Sequence, residues 1–327
     1  MNPMNPMNPM NPMNPTNPTN PTNAMNATNL KPVKFTVGNS AADFTGPSNP
    51  TNRIHYLIYL LLFGAFILCY YHTFGWLHYK YSQQDSYYSH GYLIPFISAF
   101  LLYTKKETLG TIKPSTDIIG LIILIFALLL HIFGTMGDVN FLSGFAMLFY
   151  IIGSSLYLFG REISKEIAFP LLFLVFMFPI PSNFLNIAGL PSKSLATTIG
   201  LKMIDLINIP YFREGFKINL EHTSLVVGTP CNGMKSIISF LALGLLFLYF
   251  TNIKIWMRFI ILAFIFPLAF FLNGARIASL IYIANHYGIE KASPESYLHT
   301  MSGMAVFIVG LIALVLFIRI IERKKSD

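Results

Sequence analysis

Residues 118–136 read IIGLIILIFALLLHIFGTM. No charge interrupts them, and about 20 apolar residues at a rise of about 1.5 Å each cross the hydrocarbon core of a bilayer. Working outward, seven more apolar segments occur: Tyr56–Trp76, Tyr87–Tyr103, Val139–Phe159, Ile163–Ile180, Met234–Phe250, Ile255–Leu272 and His299–Ile320. The expected fold is an all-α polytopic membrane protein of about eight transmembrane helices. The Tyr87–Tyr103 and Ile163–Ile180 segments are short, with Pro95, Pro170 and Pro179 in or beside them. Irregular helices of this kind are tolerated where protein or a polar cavity satisfies the freed backbone groups.

Composition points the same way. Of 327 residues, 54% are hydrophobic and 11% charged, against about 25% charged in a soluble domain. Mean hydropathy is +0.56. Too little charge is present to cover a soluble surface, which excludes a soluble enzyme and a wholly disordered chain. Two cysteines, Cys69 and Cys231, cannot make a disulfide framework. The net charge of +8 is read as positive-inside loops, and no nucleic-acid partner is expected.

Residues 1–52 are expected to form a low-complexity, disordered cytoplasmic tail, and 53–327 the membrane-embedded domain. Asn-Pro-Met repeats give way to Asn-Pro-Thr, and Pro at every third position blocks helix and sheet alike. The basic start and apolar core of a signal peptide are missing.

Basic residues set the topology. Placing Arg319, Arg323, Lys324 and Lys325 in the cytoplasm brings Lys31, Lys34, Arg53, Lys105, Lys106, Lys113, Arg161, Lys165, Lys254 and Arg258 to the same side. That arrangement puts 14 of the 22 basic residues inside. The expected location is the plasma membrane, with both termini cytoplasmic. On the outer side, Leu195, Ile199, Met203, Leu206 and Ile207 recur at helical spacing, with Ser192 as N-cap and Pro210 as stop. This predicts a small amphipathic helix at the interface. Alternation at Phe216–Leu220, followed by Ser224–Val227, predicts a small β-hairpin.

The same topology collects four reactive side chains at the outer surface: His90, Cys231, Arg276 and His299. A thiol, a guanidinium and imidazoles at one depth are the parts of a cysteine acyl-transfer site. Cys231 precedes a long helix, whose positive end favours thiolate. Lys235 lies one turn on, and Asn232 and Gly233 offer backbone amides to an oxyanion. Cys69, among Ile67, Leu68 and Tyr70, reads as a small buried apolar residue. Arg276 sits in an apolar stretch on the side poorer in basic residues. Snorkelling to the interface is its bland reading, a functional role the sharper one. Asn273 shares its helical face. His299 has an acid/base role if it stands beside Cys231 and Arg276. The remaining histidines read as interfacial, without a proton role. No zinc-protease, Cys-x-x-Cys, serine-elbow or nucleotide-loop motif occurs.

At these residues the chain resembles the exosortase/archaeosortase family of membrane cysteine transpeptidases. Asp85–Pro95 resembles its Asp-x-x-x-Ser-His-Gly signature, and Phe178-Pro179-Ile180-Pro181 its mid-chain Pro motif. Cys231–Ser236 is similar to the nucleophile motif, with Asn232 where Ser is more usual. Asn273-Gly274-Ala275-Arg276-Ile277 resembles Asn-x-x-Arg-Ile, and His299 with Gly303 resembles His-x-x-x-Gly. The resemblance implies Cys231 as nucleophile, Arg276 as cationic stabiliser and His299 as acid/base. It carries His90 over only as a motif residue. It also implies a substrate: exported proteins with a C-terminal tail of sorting motif, transmembrane helix and basic cluster. After cleavage these pass to a membrane lipid or envelope glycan, and no metal or cofactor is required. The competing readings are a transporter with polar pathway residues and a scaffold without chemistry.

Overall fold

A computed structural model describes residues 50–83, 86–228 and 233–323. Of the expected disordered tail, residues 1–49 lie outside the described residues, as do Asp85, Cys231, Asn232, Lys324 and Lys325, while residues 50–52 begin α1. The chain divides into two compact units, residues 1–63 and 64–327. Of the first unit, the described residues contribute the start of α1 (Pro50–Cys69).

The second unit continues with α2 (Tyr71–Ser82), α3 (Leu93–Thr104), α4 (Lys106–Thr111), α5 (Ile118–Met136), α6 (Asn140–Glu166), α7 (Ala168–Phe173) and α8 (Ser182–Asp205). Three short strands follow: β1 (Phe212–Glu214), β2 (Lys217–Asn219) and β3 (Ser224–Val226). Then come α9 (Met234–Tyr249), α10 (Ile255–Tyr287), α11 (Ile289–Ala292) and α12 (Tyr297–Arg323). Among the described residues, α5, α6, α10 and α12 are long and apolar enough to cross a membrane. The number rises to six if two bent helix pairs are each one span. The chain is thus a mostly helical polytopic membrane protein.

Helices α5 and α6 form a tight antiparallel hairpin. Asp117 caps α5 by accepting from the Ile119 amide at 2.9 Å, which satisfies an otherwise orphan donor. The two backbones meet at glycines: a Cβ on Gly153 would lie 2.9 Å from the Leu124 nitrogen, and one on Gly134 2.8 Å from that of Ser143. Small residues permit such approach where apolar burial against lipid drives nothing. Helix α6 runs past the expected end at Phe159, because Gly160 takes φ 79° and lets the chain kink and continue to Glu166. The next apolar segment therefore starts at Ala168, not Ile163.

At one end of these helices the basic loops meet. Lys105 pairs with Glu166 at 2.9 Å and Arg161 with Asp117. Lys105 also lies over the ring of Tyr249, which stacks on Phe169. The end of α3, the start of α5, the end of α6 and the end of α9 thus share one level.

The stretch expected to hold an interfacial helix differs from that reading. Helix α8 begins at Ser182, ten residues before the expected cap, and runs through Pro191. Ser192 lies inside it and donates back to the Ala188 carbonyl at 2.7 Å, the usual way a serine is satisfied in a helix interior. The break falls instead at Phe178–Pro181, where the chain turns by 79° between the 3-10 turn Leu174–Met177 and α8. Proline disfavours a helical residue before it, which accounts for the stop. Helix α8 packs on α10 through Gly200 and Gly274: a Cβ on Gly200 would sit 2.8 Å from the Gly274 carbonyl oxygen.

The strands form one antiparallel sheet in the order β1-β2-β3, with Ile218 opposite Arg213 on one side and Leu225 on the other. Helix α10 runs 33 residues, about 50 Å at about 1.5 Å per residue, against about 30 Å of hydrocarbon. It is therefore longer than one crossing needs, and other elements pack on its final turns. There Ile277, Leu280, Ile281 and Ala284 join Leu201 and Ile204 of α8 and Ile218 and Leu225 of the sheet in one buried cluster.

Cys69 also departs from expectation. It ends α1 and its side chain is exposed, not buried. The helix breaks at Tyr70, where α1 and α2 bend by 59°, so the thiol points off the packed face that Tyr70 occupies.

Candidate active site

Four elements converge where α9 begins, at the end of α9 opposite the basic loops. Gly233, two residues after Cys231, has φ 77° and caps α9, a backbone conformation that glycine adopts without penalty. A Cβ there would lie 3.3 Å from Nδ2 of Asn273, which is buried on α10. One turn further along α10, Arg276 donates from Nη2 to Nε2 of His299 at 2.9 Å. His299 stands in the first turn of α12, which Ser296 opens by accepting from the Leu298 amide.

Both ring nitrogens of His299 are engaged. Nδ1 lies 2.9 Å from the Ala292 carbonyl oxygen. A carbonyl only accepts, so Nδ1 carries the proton and Nε2 of the neutral ring accepts from Arg276. The backbone of α11 thereby fixes the tautomer and aims Nε2 at the guanidinium. Gly303, one turn below, leaves the room: a Cβ there would stand 3.3 Å from Nε of Arg276. That Nε is buried with no hydrogen-bond partner among the described residues. Arg276 is part-buried and held by an imidazole. An unmet buried donor is costly unless something accepts from it, and an oxyanion or carboxylate has the required lone pairs.

His90 lies in the 3-10 turn Ser89–Tyr92 before α3. Its Nε2 is buried and has no partner among the described residues. Burial, and then the nearby charge of Lys235, push its pKa below the ordinary histidine value. Lys235, expected to act on the thiol, thus has its charge felt by His90. This turn is locked from two sides. A Cβ on Gly91 would meet the Tyr81 ring at 2.5 Å, and Tyr81 donates to the Met177 carbonyl. Tyr88 accepts from the Ile180 amide at 3.0 Å, so the Ser-His-Gly turn and the Phe-Pro-Ile-Pro bend support each other.

Among the expected residues, then, Asn273, Arg276 and His299 stand together with Gly233, and His90 stands by Lys235. Cys231 and Asn232 lie outside the described residues. Sequence reasoning missed the Ala292 carbonyl, which acts through backbone and leaves no side-chain signal, and the paired tyrosines Tyr81 and Tyr88.

A polytopic helical membrane protein with a part-buried Arg–His pair at the start of a third helix is the class that the fold and site define. The chain belongs to the transmembrane exosortase family, whose profile matches residues 76–316. No curated protein and no solved structure matches it.

Proposed function

We propose that this exosortase is a membrane-embedded cysteine transpeptidase. It cleaves exported proteins at a C-terminal sorting tail of motif, transmembrane helix and basic cluster, and passes them to a lipid or envelope acceptor. The supporting observation is the Arg276–His299 pair, with Asn273 one turn away against Gly233, two residues beyond Cys231. In this reading the chain crosses the plasma membrane eight times, with α1–α2 and α7 with its 3-10 turn as irregular crossings. Both termini are cytoplasmic and the site faces outward.

Chemically, Cys231 gives up its thiol proton and attacks the carbonyl carbon of the scissile amide. Arg276 donates to the oxyanion that forms, using the Nε left open in the resting site. His299 can take a proton only at Nε2, since Nδ1 is bound to Ala292. Arg276 therefore leaves Nε2 as it turns to the substrate oxygen. The imidazolium then protonates the leaving amine as the C–N bond breaks, giving a thioester. An amine or hydroxyl of the acceptor attacks the thioester, returns a proton to His299 and frees the thiol. The transporter reading predicts polar residues along a path at mid-membrane; here they gather at one end of α9.

The test is processing of a tailed, exported reporter in cells. Cys231→Ala is expected to abolish cleavage, and Cys69→Ala, altering an exposed thiol at a helix end, to leave it intact. Cleavage by Cys231→Ala protein at normal abundance would remove the mechanism.

A further inference from the structure

Beside His299 lies a cavity of about 320 Å³ bounded by β3, α10, α11 and the turn after it. Five consecutive residues, Ser224 to Gly228, line it. Alternate side chains of a strand point to opposite faces, so a cavity over one face touches every second residue. Contact with an unbroken run marks a slot along the strand's edge. Among the described residues that edge is open: β3 is the last strand of the sheet and pairs with β2 alone. The Val227 amide donates to Phe216. Antiparallel alternation then directs the Leu225 and Val227 backbone groups to β2, and those of Ser224 and Val226 outward. Nothing among the described residues pairs with them.

No Asp, Glu, Lys or Arg lines the slot; Ile277, Leu280, Ile289, Ala292 and Pro294 make it apolar, and His299 is its titratable group. Its volume is at the lower end of ligand pockets, about 300–1,000 Å³. In sequence, Cys231 follows Val226 by five residues.

We infer that the open edge of β3 is the docking strand for the substrate's sorting segment. The segment binds as an added β-strand, with an uncharged apolar side chain in the slot between β3 and α11. This rests on the transpeptidase reading and assigns its specificity to a place. Backbone pairing holds the segment extended beside His299, and the slot there rejects charge, because a charged side chain in it has no partner. Ala292 serves twice, lining the slot and orienting His299, so the two are built in one register.

The probes are exported reporters carrying a C-terminal tail from the same genome, with each residue before its transmembrane helix varied in turn to Gly, Trp or Asp. Val226→Pro removes one outward amide while leaving the β2 pairing, as an edge strand allows. Ser293→Phe fills the slot from the turn after α11. At matched abundance each is expected to slow processing about tenfold, the worth of a lost hydrogen bond or contact. Ser293→Phe should regain rate when one tail position is changed to Gly. Wild-type rates and unchanged tail preferences in both variants would overturn the docking strand while leaving the enzyme intact. Failure of the wild-type protein to process any tail, with Cys231→Ala indistinguishable from it, would overturn both readings. If either variant does not accumulate, a photo-cross-linker at position 293 of Cys231→Ala protein decides. Adducts in the segment before the tail's helix support the slot, and adducts confined to that helix overturn it.

Discussion

His299 is held at both ring nitrogens, and the Arg276 guanidinium is held by His299 alone among the described residues, with Nε unmet. In the proposed mechanism the pair is a resting arrangement that a substrate oxygen reorganises. Lysine keeps the charge but has neither the fork nor a second donor in place. Arg276→Lys is expected to cut processing about a hundredfold, the scale of losing an oxyanion donor, while the protein still accumulates. Near-normal processing would reduce Arg276 to a point charge. Gly303→Ala adds a methyl at 3.3 Å from the guanidinium and should give a smaller loss. A second prediction concerns His90, whose lowered pKa keeps it neutral in the folded protein. Between that lowered value and about 6.5, the unfolded chain binds more protons than the folded one. Stability thus rises with pH through this window and is lost as pH falls below about 6.5. Melting curves in detergent from pH 5.5 to 7.5 should show this slope, and His90→Gln should flatten it. An unchanged slope in the variant would mean that other groups set it.

Among the elements, the α8–α10 crossing decides where the site residues stand. Gly274 lies between Asn273 and Arg276, and a Cβ there would press on Ile199 at 2.6 Å and on the Ala196 carbonyl at 3.2 Å. Gly274→Ala forces the helices apart without touching a polar side chain. Overpacking of this kind costs about 1–3 kcal/mol. Processing is expected to fall at least tenfold, with a lower melting temperature, although every candidate catalytic residue remains. Wild-type behaviour would mean that the crossing relaxes freely and does not position the site. Elsewhere Thr73, Ser143 and His131 form a buried hydrogen-bonded chain, anchored by His131 to the Cys69 carbonyl. It holds the α1–α2 break against the α5–α6 hairpin and gives His131 a structural place that an interfacial reading did not foresee.

At the scale of the whole molecule, the loops carrying Lys105, Arg161 and the end of α9 meet at one level, and the Arg276–His299 pair lies at the other end of α9. With the basic end inside, as the charge distribution favours, a membrane-impermeant thiol reagent should label a cysteine at Glu221 in intact cells. It should not label one at Lys105 or Arg258. The opposite pattern would place the chemistry in the cytoplasm.

The sequence by itself determined that this is a membrane protein of apolar helices. Blocks such as 118–136 can satisfy their backbone only as helices in lipid, and that follows from composition and local hydrogen bonding alone. It also made Asn273, Arg276, His299 and His90 conspicuous, because polar groups beside apolar runs are expensive wherever they fall. What it did not contain was where helices stop once packing intervenes. Ser192 resembles a cap until α8 is seen to start at Ser182, Cys69 resembles a core residue until the bend at Tyr70 turns it outward, and α10 continues past Leu272 because α8 and the sheet cover its far end. Nor was the partner of each polar group legible, since the Ala292 carbonyl that orients His299 and the open edge of β3 are backbone features, identical in every sequence. Only tertiary packing brings Gly233, Asn273, Arg276 and His299 together, because contacts between distant helices depend on close glycine crossings that no local periodicity records.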